Sequence, residues 1–557
     1  MKDIIMFLLG VGVIFLIALS VAIYDNINKL RYIKKKIIQN YGKEIDLSEV
    51  SINMNSVSSY FRNKNEKNII DDITWNDLNM DDIFKKVNNT QSTAGSEVLY
   101  DILRNPLYNQ QDLDKRNNII EYFRNNEDKR KEVQYILGKL GSSDDLYTTN
   151  CLYNEIDIRG NKLSKYRLLA IMPIISLCLI FISRYFIILF VASIIFNIYI
   201  SQNNKKYHYN TEGFTYIVSV VKAANKIKSL KIDDIEKNLH DIDSDLDEVK
   251  KIRKKSIKQD ANIAIADVNV FSEYTKMIFL TDLITYEKVK NTVIKKSKNL
   301  KLIYEFVGTI DALIGVASFR DSLKYYSLPQ LIKSNKKEDN SLEFIEIYHP
   351  LILNPVTNSG SFYNGILLTG SNASGKSTFI KTAAINAILA QTIYTCCAKN
   401  YKSSYFNICT SMALKDDIFS NESYYIVEIK SLKRIIDNIN DNTPCLCFVD
   451  EILRGTNTVE RVASSCEVLK YLGNRNCICF AATHDIELTH LLNDNFDNYH
   501  FEEIITDKDI KFDYKLYKGR AQTRNAIKLL EFMKYDASIV LNADKRAKLF
   551  LETGKWS

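Results

Sequence analysis

One segment constrains the fold of this chain more than any other, and it reads Gly370-Ser371-Asn372-Ala373-Ser374-Gly375-Lys376-Ser377-Thr378. It matches the pattern G-x-x-x-x-G-K-[ST] and lies between an apolar run at 366–368 and a helical pattern that begins near Phe379. Glycines in such a loop let backbone N–H groups close around a phosphate, and the N-terminus of the following helix adds positive potential. The segment therefore predicts an α/β domain that binds a nucleotide through these residues.

The next strand pattern along the chain supplies further groups that nucleotide hydrolysis needs. We expect Lys376 to neutralise the β- and γ-phosphates and the Ser377 hydroxyl to ligate Mg²⁺. A buried-strand pattern at 445–449 ends in Asp450 and Glu451. Asp450 is placed to hold Mg²⁺, and Glu451 is the candidate general base that orients the attacking water. The expected chemistry is ATP hydrolysis, with ATP and Mg²⁺ bound.

A histidine completes the candidate catalytic set. A third apolar strand pattern at 477–482 is followed by Thr483 and His484. A neutral imidazole at that strand end can sense the γ-phosphate and the attacking water, whereas the alternative is a structural histidine. We predict that Lys376, Glu451 and His484 are the catalytic residues.

Two cysteine pairs point to a buried core rather than to a metal site. Cys445 and Cys447 alternate within one apolar run, and Cys477 and Cys479 alternate within another. Neither pair has the C-x₂-C spacing of a structural zinc site. We expect these cysteines to be small core residues in a reducing compartment.

The N-terminus carries an apolar run that is long enough to cross a membrane. Residues 4–24 are uncharged, and as a helix they span roughly 30 Å, the thickness of the hydrocarbon core. Basic residues follow the run from Lys29 onward, while only Lys2 precedes it. The excess of positive charge predicts that everything after Lys29 is cytoplasmic. The alternative is a cleaved signal peptide, whose apolar stretch is usually shorter and has its basic charge before it.

A second apolar block extends over 168–200 and is interrupted by Arg184. It divides into two segments of about 24 Å each, which is short for a full span. Basic residues flank both ends of the block, at Lys162, Lys165, Arg167, Lys205 and Lys206. This pattern predicts a transmembrane hairpin at 166–201 with both feet in the cytoplasm. The alternative is a buried or interfacial helix pair within a soluble domain.

The C-terminal motifs resemble those of the MutS family of ABC-type ATPases. The similar segments are the loop at 370–378, the run DEILRGTNT at 450–458, the run THDIELT at 483–489 and the region from Asp416 to Glu428. Upstream, residues 308–318 and 96–116 are similar to parts of the helical core of that family.

The resemblance implies a C-terminal α/β P-loop ABC-type ATPase domain at 341–557 and an all-α core and lever domain at 72–340. The membrane hairpin interrupts the helical domain, and a transmembrane helix at 1–27 and a juxtamembrane linker at 28–71 precede it. The expected location is the cell membrane, crossed more than once, with the ATPase domain in the cytoplasm.

The family resemblance also implies a homodimer formed through the ATPase domains. The residues expected to face the ATP of the opposite subunit are Asn421, Ser423, Gly455, Thr456 and Asn457. Three positions depart from the family pattern. Asn421 and Leu453 each stand where the family has glycine, and Tyr424 stands where it has threonine.

The expected function is that of a membrane-anchored MutS-like ATPase in which ATP binding and hydrolysis drive a dimeric DNA clamp. Residues 1–71 leave no room for the family's mismatch-reading domain, so we expect contacts to the DNA backbone without a mismatch wedge. The alternative is a membrane scaffold or signalling ATPase that acts on a protein partner without binding DNA. A transporter is disfavoured, since at most three spans are predicted. The net charge of +7 permits phosphate contact but does not require it.

Overall fold

The computed structural model describes residues 2–64, 69–142, 148–153, 162–203, 205–256, 275–334, 336–371, 374–412, 424–505, 510–521 and 526–554, with the backbone alone for 2–19, 205–212, 251–256 and some single residues elsewhere. The chain divides into two compact units. The helical unit comprises Met1–Glu66, Lys85–Ile102 and Lys115–Ser322, and the α/β unit comprises Lys67–Phe84, Leu103–Asp114 and Leu323–Ser557.

The regular secondary structure of the described residues up to 322 is helical. The helices are α1 Lys2–Asn40, α2 Met54–Val57, α3 Ser59–Lys64, α4 Asp72–Asp77, α5 Met80–Val87, α6 Thr93–Arg104, α7 Gln110–Asn125, α8 Glu127–Gly138, α9 Thr148–Tyr153, α10 Leu163–Leu179, α11 Phe186–Asn203, α12 Lys205–Ser229, α13 Asp233–Asn238, α14 Asp243–Ser256, α15 Thr281–Lys295 and α16 Ser297–Ser322.

Strands appear only beyond this point in the described chain, and helices alternate with them. The strands are β1 Gln330–Ile332, β2 Leu342–Ile347, β3 Asn358–Phe362, β4 Gly365–Thr369, β5 Asn400–Ser404, β6 Asn407–Ser411, β7 Cys445–Asp450, β8 Cys477–Ala482, β9 Phe496–Ile505 and β10 Ile510–Lys518. The helices are α17 Lys376–Thr392, α18 Tyr424–Asn438, α19 Thr458–Gly473, α20 Ile486–Leu491, α21 Ala526–Phe532 and α22 Ala537–Thr553. The prediction of a C-terminal α/β region after a helical region is confirmed.

Helix α16 is the central element of the helical unit, and most of its length is buried. It approaches α6 closely at Gly308, where an added Cβ would lie 2.4 Å from Val98. One turn further on, the buried Asp311 carboxylate accepts hydrogen bonds from the Gln91 amide at 3.0 Å and from the Ser92 hydroxyl. Asp311 thereby fixes the chain at the point where α6 begins.

The segment at 28–71 was expected to be a linker, and this part of the prediction needs correction. Helix α1 continues through it as far as Asn40. The chain beyond α1 is then bound to the end of α16, because the Tyr41 hydroxyl donates to Asp321 Oδ2 at 2.9 Å and the Gly42 amide donates to Ser318 Oγ at 2.9 Å. The Arg130 guanidinium lies 3.5 Å from the centre of the Tyr41 ring. Residues 28–71 are rich in Asn and Lys, which is typical of a linker, but packing and hydrogen bonds hold this part of the chain in place.

Two described helices are long and apolar enough to cross a membrane, Phe186–Asn203 and Ser297–Ser322. The second is α16, whose apolar window is 83% buried inside the helical unit. It is therefore a core helix. The first is α11, whose window is only 11% buried. The predicted span at 4–24 lies largely outside the residues whose side chains are described.

The α/β unit begins earlier in the chain than the predicted boundary at 341. Residues 67–84, 103–114 and 323–340, which were assigned to the helical domain, belong to it. Side-chain contacts explain the difference: Thr410 Oγ1 donates to Asp77 Oδ2 at 2.7 Å, and Arg434 binds both carboxylate oxygens of Asp71 at 2.6 Å. These contacts join residues more than 300 positions apart in the sequence.

The central sheet brings three strand ends to one edge. Its strand order is β10-β9-β4-β8-β7-β6, and within it β4, β8 and β7 are mutually parallel neighbours. Leu368 of β4 and Asp450 of β7 are both in register with Ala482 of β8. A second sheet has the order β1-β5-β2-β3. The carboxyl ends of parallel strands carry the loops in which open α/β sheets place their sites.

The four alternating cysteines lie where the pattern predicts, on the buried strands β7 and β8. Cys445 is in register with Cys477, and Cys447 with Cys479. The Cys447 and Cys477 sulfurs lie 3.5 Å apart. Their place in the sheet is that of small core residues.

Candidate functional site

The glycine-rich loop connects β4 to α17, as the sequence predicts. Gly370 has φ +140°, and a Cβ there would meet the Phe501 carbonyl oxygen at 2.9 Å. Gly375 has φ +103°, and a Cβ there would meet the Tyr514 ring at 3.0 Å. Both positions therefore require glycine. Asn372 and Ala373 lie outside the described residues.

Lys376 turns back over this loop. Its Nζ donates to the carbonyl oxygens of Gly370 at 2.6 Å and Ser371 at 2.7 Å. Burial lowers the pKa of Lys376 to about 8, against the opposing effect of Asp450 and Glu451. The Lys376 cation thus lies between the carbonyl groups of the loop and the carboxylates of Asp450 and Glu451.

Ser377 and Asp450, the predicted magnesium ligands, are brought together. The Ser377 hydroxyl hydrogen-bonds the Asp450 carboxylate. Burial raises the pKa of Asp450, while this hydrogen bond and the charge of Lys376 lower it. Both residues present hard oxygen donors, which are the ligands that Mg²⁺ prefers.

Glu451 lies directly beyond β7 in a left-handed conformation, with φ +55°. Its Oε1 is 3.2 Å from His484 Nε2, and its Oε2 is 2.7 Å from the Arg454 guanidinium. The main chain is fixed as well, because the Glu451 amide donates to the Ala482 carbonyl at 3.0 Å. The carboxylate is therefore held from two sides at the same sheet edge as Lys376.

His484 is the third predicted catalytic residue, and it lies beside Glu451. Burial and the nearby Lys376 cation lower the pKa of His484, and the carboxylates of Glu451 and Asp450 only partly oppose them. The imidazole is consequently neutral at neutral pH. A neutral ring can both donate and accept a hydrogen bond, as a residue beside a reacting water must.

The residue after His484 is anchored to a neighbouring helix, which the sequence analysis did not foresee. Arg461 of α19 binds Asp485 in a bidentate fork, with Nε 2.9 Å from one oxygen and an Nη 2.6 Å from the other. The Asp485 amide donates to the Thr483 hydroxyl at 3.0 Å. No local pattern marks this pair, because Arg461 and Asp485 are 24 positions apart in the sequence.

Three of the five residues predicted to face an opposite subunit are described. Gly455 lies against Tyr425, Thr456 donates to Glu460 at 3.1 Å, and Asn457 caps α19 by accepting from the Glu460 amide at 3.0 Å. Asn421 and Ser423 lie outside the described residues. The described three occupy the turn between Glu451 and α19.

A cavity of about 400 Å³ adjoins the loop. Its lining is mostly apolar and comprises Ile347, His349, Ile352, Asn354, Pro355, Val356, Asn358, Gly375, Thr378, Phe379, Thr382, Phe501 and Tyr514. The volume falls in the usual range for a small-molecule site, about 300–1,000 Å³.

Tyr514 and Glu503 are site residues that sequence reasoning missed. Tyr514 has φ +56° and lies in an irregularity of the β9–β10 pairing. Asn358 holds this bulge by donating to the Tyr514 carbonyl at 3.0 Å and accepting from the Leu516 amide at 2.9 Å. Ser371 of the loop donates to Glu503. No sequence motif marks Tyr514 or Glu503, because β-bulges and cross-strand contacts depend on register.

Residues 366–551 match the family model for MutS domain V. Over this domain the chain is similar to proteins of the MutS family. The matched residues contain the loop, both acidic residues, His484 and Tyr514.

Three relatives illustrate the similarity. MutS protein homolog 4 of Homo sapiens is 32% identical over 46% of this chain and 29% of its own length. The DNA mismatch repair protein MutS of Rickettsia akari is 28% identical over 48% of this chain and 31% of its own length. That of Prochlorococcus marinus is 30% identical over 42% of this chain and 27% of its own length. The chain thus matches less than a third of the length of these relatives.

Proposed function

We propose that this MutS-family chain is a membrane-attached ATPase whose ATP binding and hydrolysis drive a dimeric DNA clamp. One arrangement carries the proposal: Lys376, Asp450, Glu451 and His484 converge from three parallel strands on one sheet edge, with Glu451 3.2 Å from His484. A glycine-rich loop, a general base and a neutral imidazole are groups that phosphoryl transfer to water requires.

The cavity beside the loop fits the nucleoside part of ATP. Its lining is continuous with Gly375 and Thr378 of the loop, and Tyr514 presents an aromatic ring there. Aromatic faces bind nucleobases by stacking, which is worth about 1–3 kcal/mol per base. ATP would therefore lie with its base in the cavity and its phosphates over α17.

The donor set at Ser377 and Asp450 fits Mg²⁺. No group of three or more His, Cys, Asp or Glu side chains suited to a metal occurs among the described residues. That agrees with an ion that takes one or two protein oxygens and otherwise uses phosphate and water. When bound, Mg²⁺ neutralises charge on the phosphates.

The roles of the remaining groups follow from their positions. Lys376 binds the β- and γ-phosphates in place of the loop carbonyls. Glu451 orients the attacking water and accepts its proton, while Arg454 holds the carboxylate in place. The neutral His484 hydrogen-bonds the same carboxylate and keeps a ring N–H near the γ-phosphate. A positioned general base contributes about 10²–10⁴-fold to a rate.

Dimerisation through the ATPase domains is the second part of the proposal. Gly455, Thr456 and Asn457 occupy the turn directly after Glu451 and Arg454, and the turn is tied to α18 where the Arg454 amide donates to Glu428 at 3.3 Å. Two copies facing each other through this turn, with Asn421 and Ser423, would bring these residues close to the nucleotide of the opposite subunit. ATP occupancy would then control the dimer.

The DNA part of the proposal rests on the relatives, two of which are named for DNA mismatch repair. The test is duplex binding by the full chain in detergent, with and without ATP, over a salt series. A phosphate-backbone clamp should bind at low salt and weaken linearly in log affinity against log salt. Lack of binding at the lowest salt would eliminate the clamp and leave the scaffold or signalling ATPase.

Attachment to the cell membrane, with the ATPase domain in the cytoplasm, is the third part. The apolar run at 4–24 and the α10–α11 hairpin support it. So do the exposed basic residues Lys162, Lys165 and Arg167 at the hairpin foot. Resistance of the full chain to extraction from membranes by alkaline carbonate tests this part independently of DNA and of ATP turnover.

A further inference from the structure

The α10–α11 hairpin has its polar groups inside and its apolar groups outside. Ile187, Ile188 and Leu189 are consecutive in α11, yet 54%, 71% and 39% of their surfaces are exposed. Three consecutive positions cover about 200° of a helix, at 3.6 residues per turn. A helix that lies flat on a membrane surface needs one polar face, and this one lacks it.

Two serine hydroxyls in the body of the hairpin find acceptors within their own helices. The Ser176 hydroxyl donates to the Met172 carbonyl at 2.8 Å, and the Ser193 hydroxyl donates to the Phe190 carbonyl at 2.7 Å. Hydrocarbon provides no hydrogen-bond partners, so polar groups there must find partners within the protein.

Asn197 supplies a hydrogen-bond donor to a carbonyl group that lacks its donor within the helix. Pro173 of α10 has no N–H, so the carbonyl of Leu169, four residues earlier, loses its helical donor. The Asn197 amide Nδ2, on α11, donates to that carbonyl at 2.9 Å and also to the Ile278 carbonyl at 2.8 Å. Asn197 is almost fully buried, at 1% exposure. The hairpin is thereby a fixed pair of helices rather than two independent segments.

The tip of the hairpin is built differently from its body. The chain turns at 180–185, and Phe181, Ile182 and Tyr185 there are 62%, 78% and 71% exposed. Arg184 is exposed beside them, 5.6 Å from the Tyr185 ring centre. Irregular backbone exposed to lipid does not occur within the hydrocarbon layer, and a charged arginine at its centre is strongly unfavourable. The tip therefore cannot end at the bilayer midplane.

We propose that the hairpin crosses the whole bilayer and that its tip, Arg184 with Tyr185, binds lipid phosphates in the headgroup layer of the far leaflet. Residues 168–182 are about 22 Å long as a helix, against a hydrocarbon core of about 30 Å. Local thinning of the bilayer and extension of the Arg184 side chain toward the headgroups close this gap. Tyrosine is enriched at membrane interfaces, and arginine side chains near helix ends extend toward the headgroups.

This inference rests on the proposed membrane attachment, and one experiment separates the two. Ser183→Cys is made in the full chain carrying Cys178→Ser, since Cys178 is the exposed cysteine among those described. Intact cells are treated with a membrane-impermeant maleimide, with and without permeabilisation. Lys162→Cys, at the exposed foot, is the matched control, and the parent without the added cysteine sets the background.

The spanning hairpin predicts equal labelling of Ser183→Cys in intact and permeabilised cells, and at least about tenfold less labelling of Lys162→Cys in intact cells. Labelling of Ser183→Cys only after permeabilisation places the tip on the cytoplasmic side, and labelling only after detergent places it in the bilayer. Either result overturns the inference. Recovery of the unmodified chain in the carbonate-soluble fraction would instead contradict the membrane attachment itself.

A second arm tests the phosphate contact. Arg184→Glu, added to the Ser183→Cys chain, should lower tip labelling in intact cells by at least about tenfold, because a carboxylate is repelled by lipid phosphates. Arg184→Lys keeps the charge and should label like the parent. Equal labelling of both variants would show that the tip crosses without binding phosphate, which contradicts that part of the inference.

Discussion

The imidazole Nε2 of His484 lies 3.2 Å from Oε1 of Glu451, although the two residues belong to different strand ends. The contact exists because β7 and β8 are parallel and in register, so that their carboxyl ends meet. It joins the candidate general base to a ring that is neutral at neutral pH.

The pH dependence of kcat/KM should reveal the Lys376 cation. Catalysis requires charged Lys376 and neutral His484. Since burial lowers the pKa of Lys376 to about 8, kcat/KM should fall as pH rises through about 8, where the free protein loses this charge. The lowered pKa of His484 means that its protonation does not reduce the rate near neutral pH. Bound phosphates raise the pKa of Lys376. The fall in kcat should therefore occur at a higher pH than the fall in kcat/KM.

ATP turnover measured over a pH series checks both parameters. A kcat/KM that stays constant through about pH 9.5 would contradict the assignment of Lys376 as the phosphate-binding cation with a lowered pKa.

The Arg461–Asp485 pair should position His484. Asp485→Ala removes both hydrogen bonds of the fork, so His484 loses its fixed place beside Glu451. We expect kcat to fall about tenfold or more with little change in KM, since small misplacement of a catalytic group costs up to about 10²-fold. Arg461→Lys keeps the charge without the fork and should lose part of the rate.

The matched control for that pair is Asp437→Ala. Asp437 forms an exposed ion pair with Lys433 on α18 of the same unit. Exposed pairs contribute little, so turnover should not change. An Asp485→Ala chain with unaltered kcat would show that the fork is structural only.

Leu453 has a left-handed backbone conformation. At this position a glycine variant should be more stable than an alanine variant, which is the reverse of the usual order of stability. Leu453 has φ +55° and is 4% exposed, so it packs in the core at a backbone cost. Leu453→Ala loses the packing and keeps the cost of a Cβ in this conformation, about 1–2 kcal/mol. Leu453→Gly loses the packing and removes that cost. The glycine variant should therefore have the higher free energy of unfolding, by about 1 kcal/mol.

Urea denaturation of the full chain compares the two variants. The control site is Leu469, which is fully buried in the same cluster but lies within the regular helix α19. There glycine should be less stable than alanine by about 1 kcal/mol. If the alanine variant were more stable than the glycine variant at both sites, this would contradict a backbone cost at Leu453.

Local pattern and strand polarity were sufficient to predict much of the candidate site. The strand-loop-helix unit around Gly370–Lys376 follows from glycine spacing between apolar runs. Asp450, Glu451 and His484 converge because each follows a strand in a parallel sheet, whose carboxyl ends share an edge. These are short-range signals combined with one general rule of sheet geometry.

The features that could not be predicted from the sequence depend on contacts between residues that are far apart in the chain. Asp71 and Asp77 join the α/β unit through Arg434 and Thr410, and no local pattern marks such pairs. Tyr514 reaches the loop through a bulge, which depends on strand register. Helix α1 extends past the apolar run because its later turns pack on α8, where Ile33 lies against Gly138. Tertiary packing there overrides a polar composition.

The measurement that tests the central claim most directly is ATP turnover by the full chain carrying Glu451→Gln. Removing the general base while keeping its shape should lower kcat by at least about 100-fold and leave ATP binding intact. Glu467→Gln, at an exposed position of α19, is the control and should turn over ATP like the parent. Undiminished turnover by Glu451→Gln, with the control unchanged, would contradict the account of this site as a hydrolytic centre.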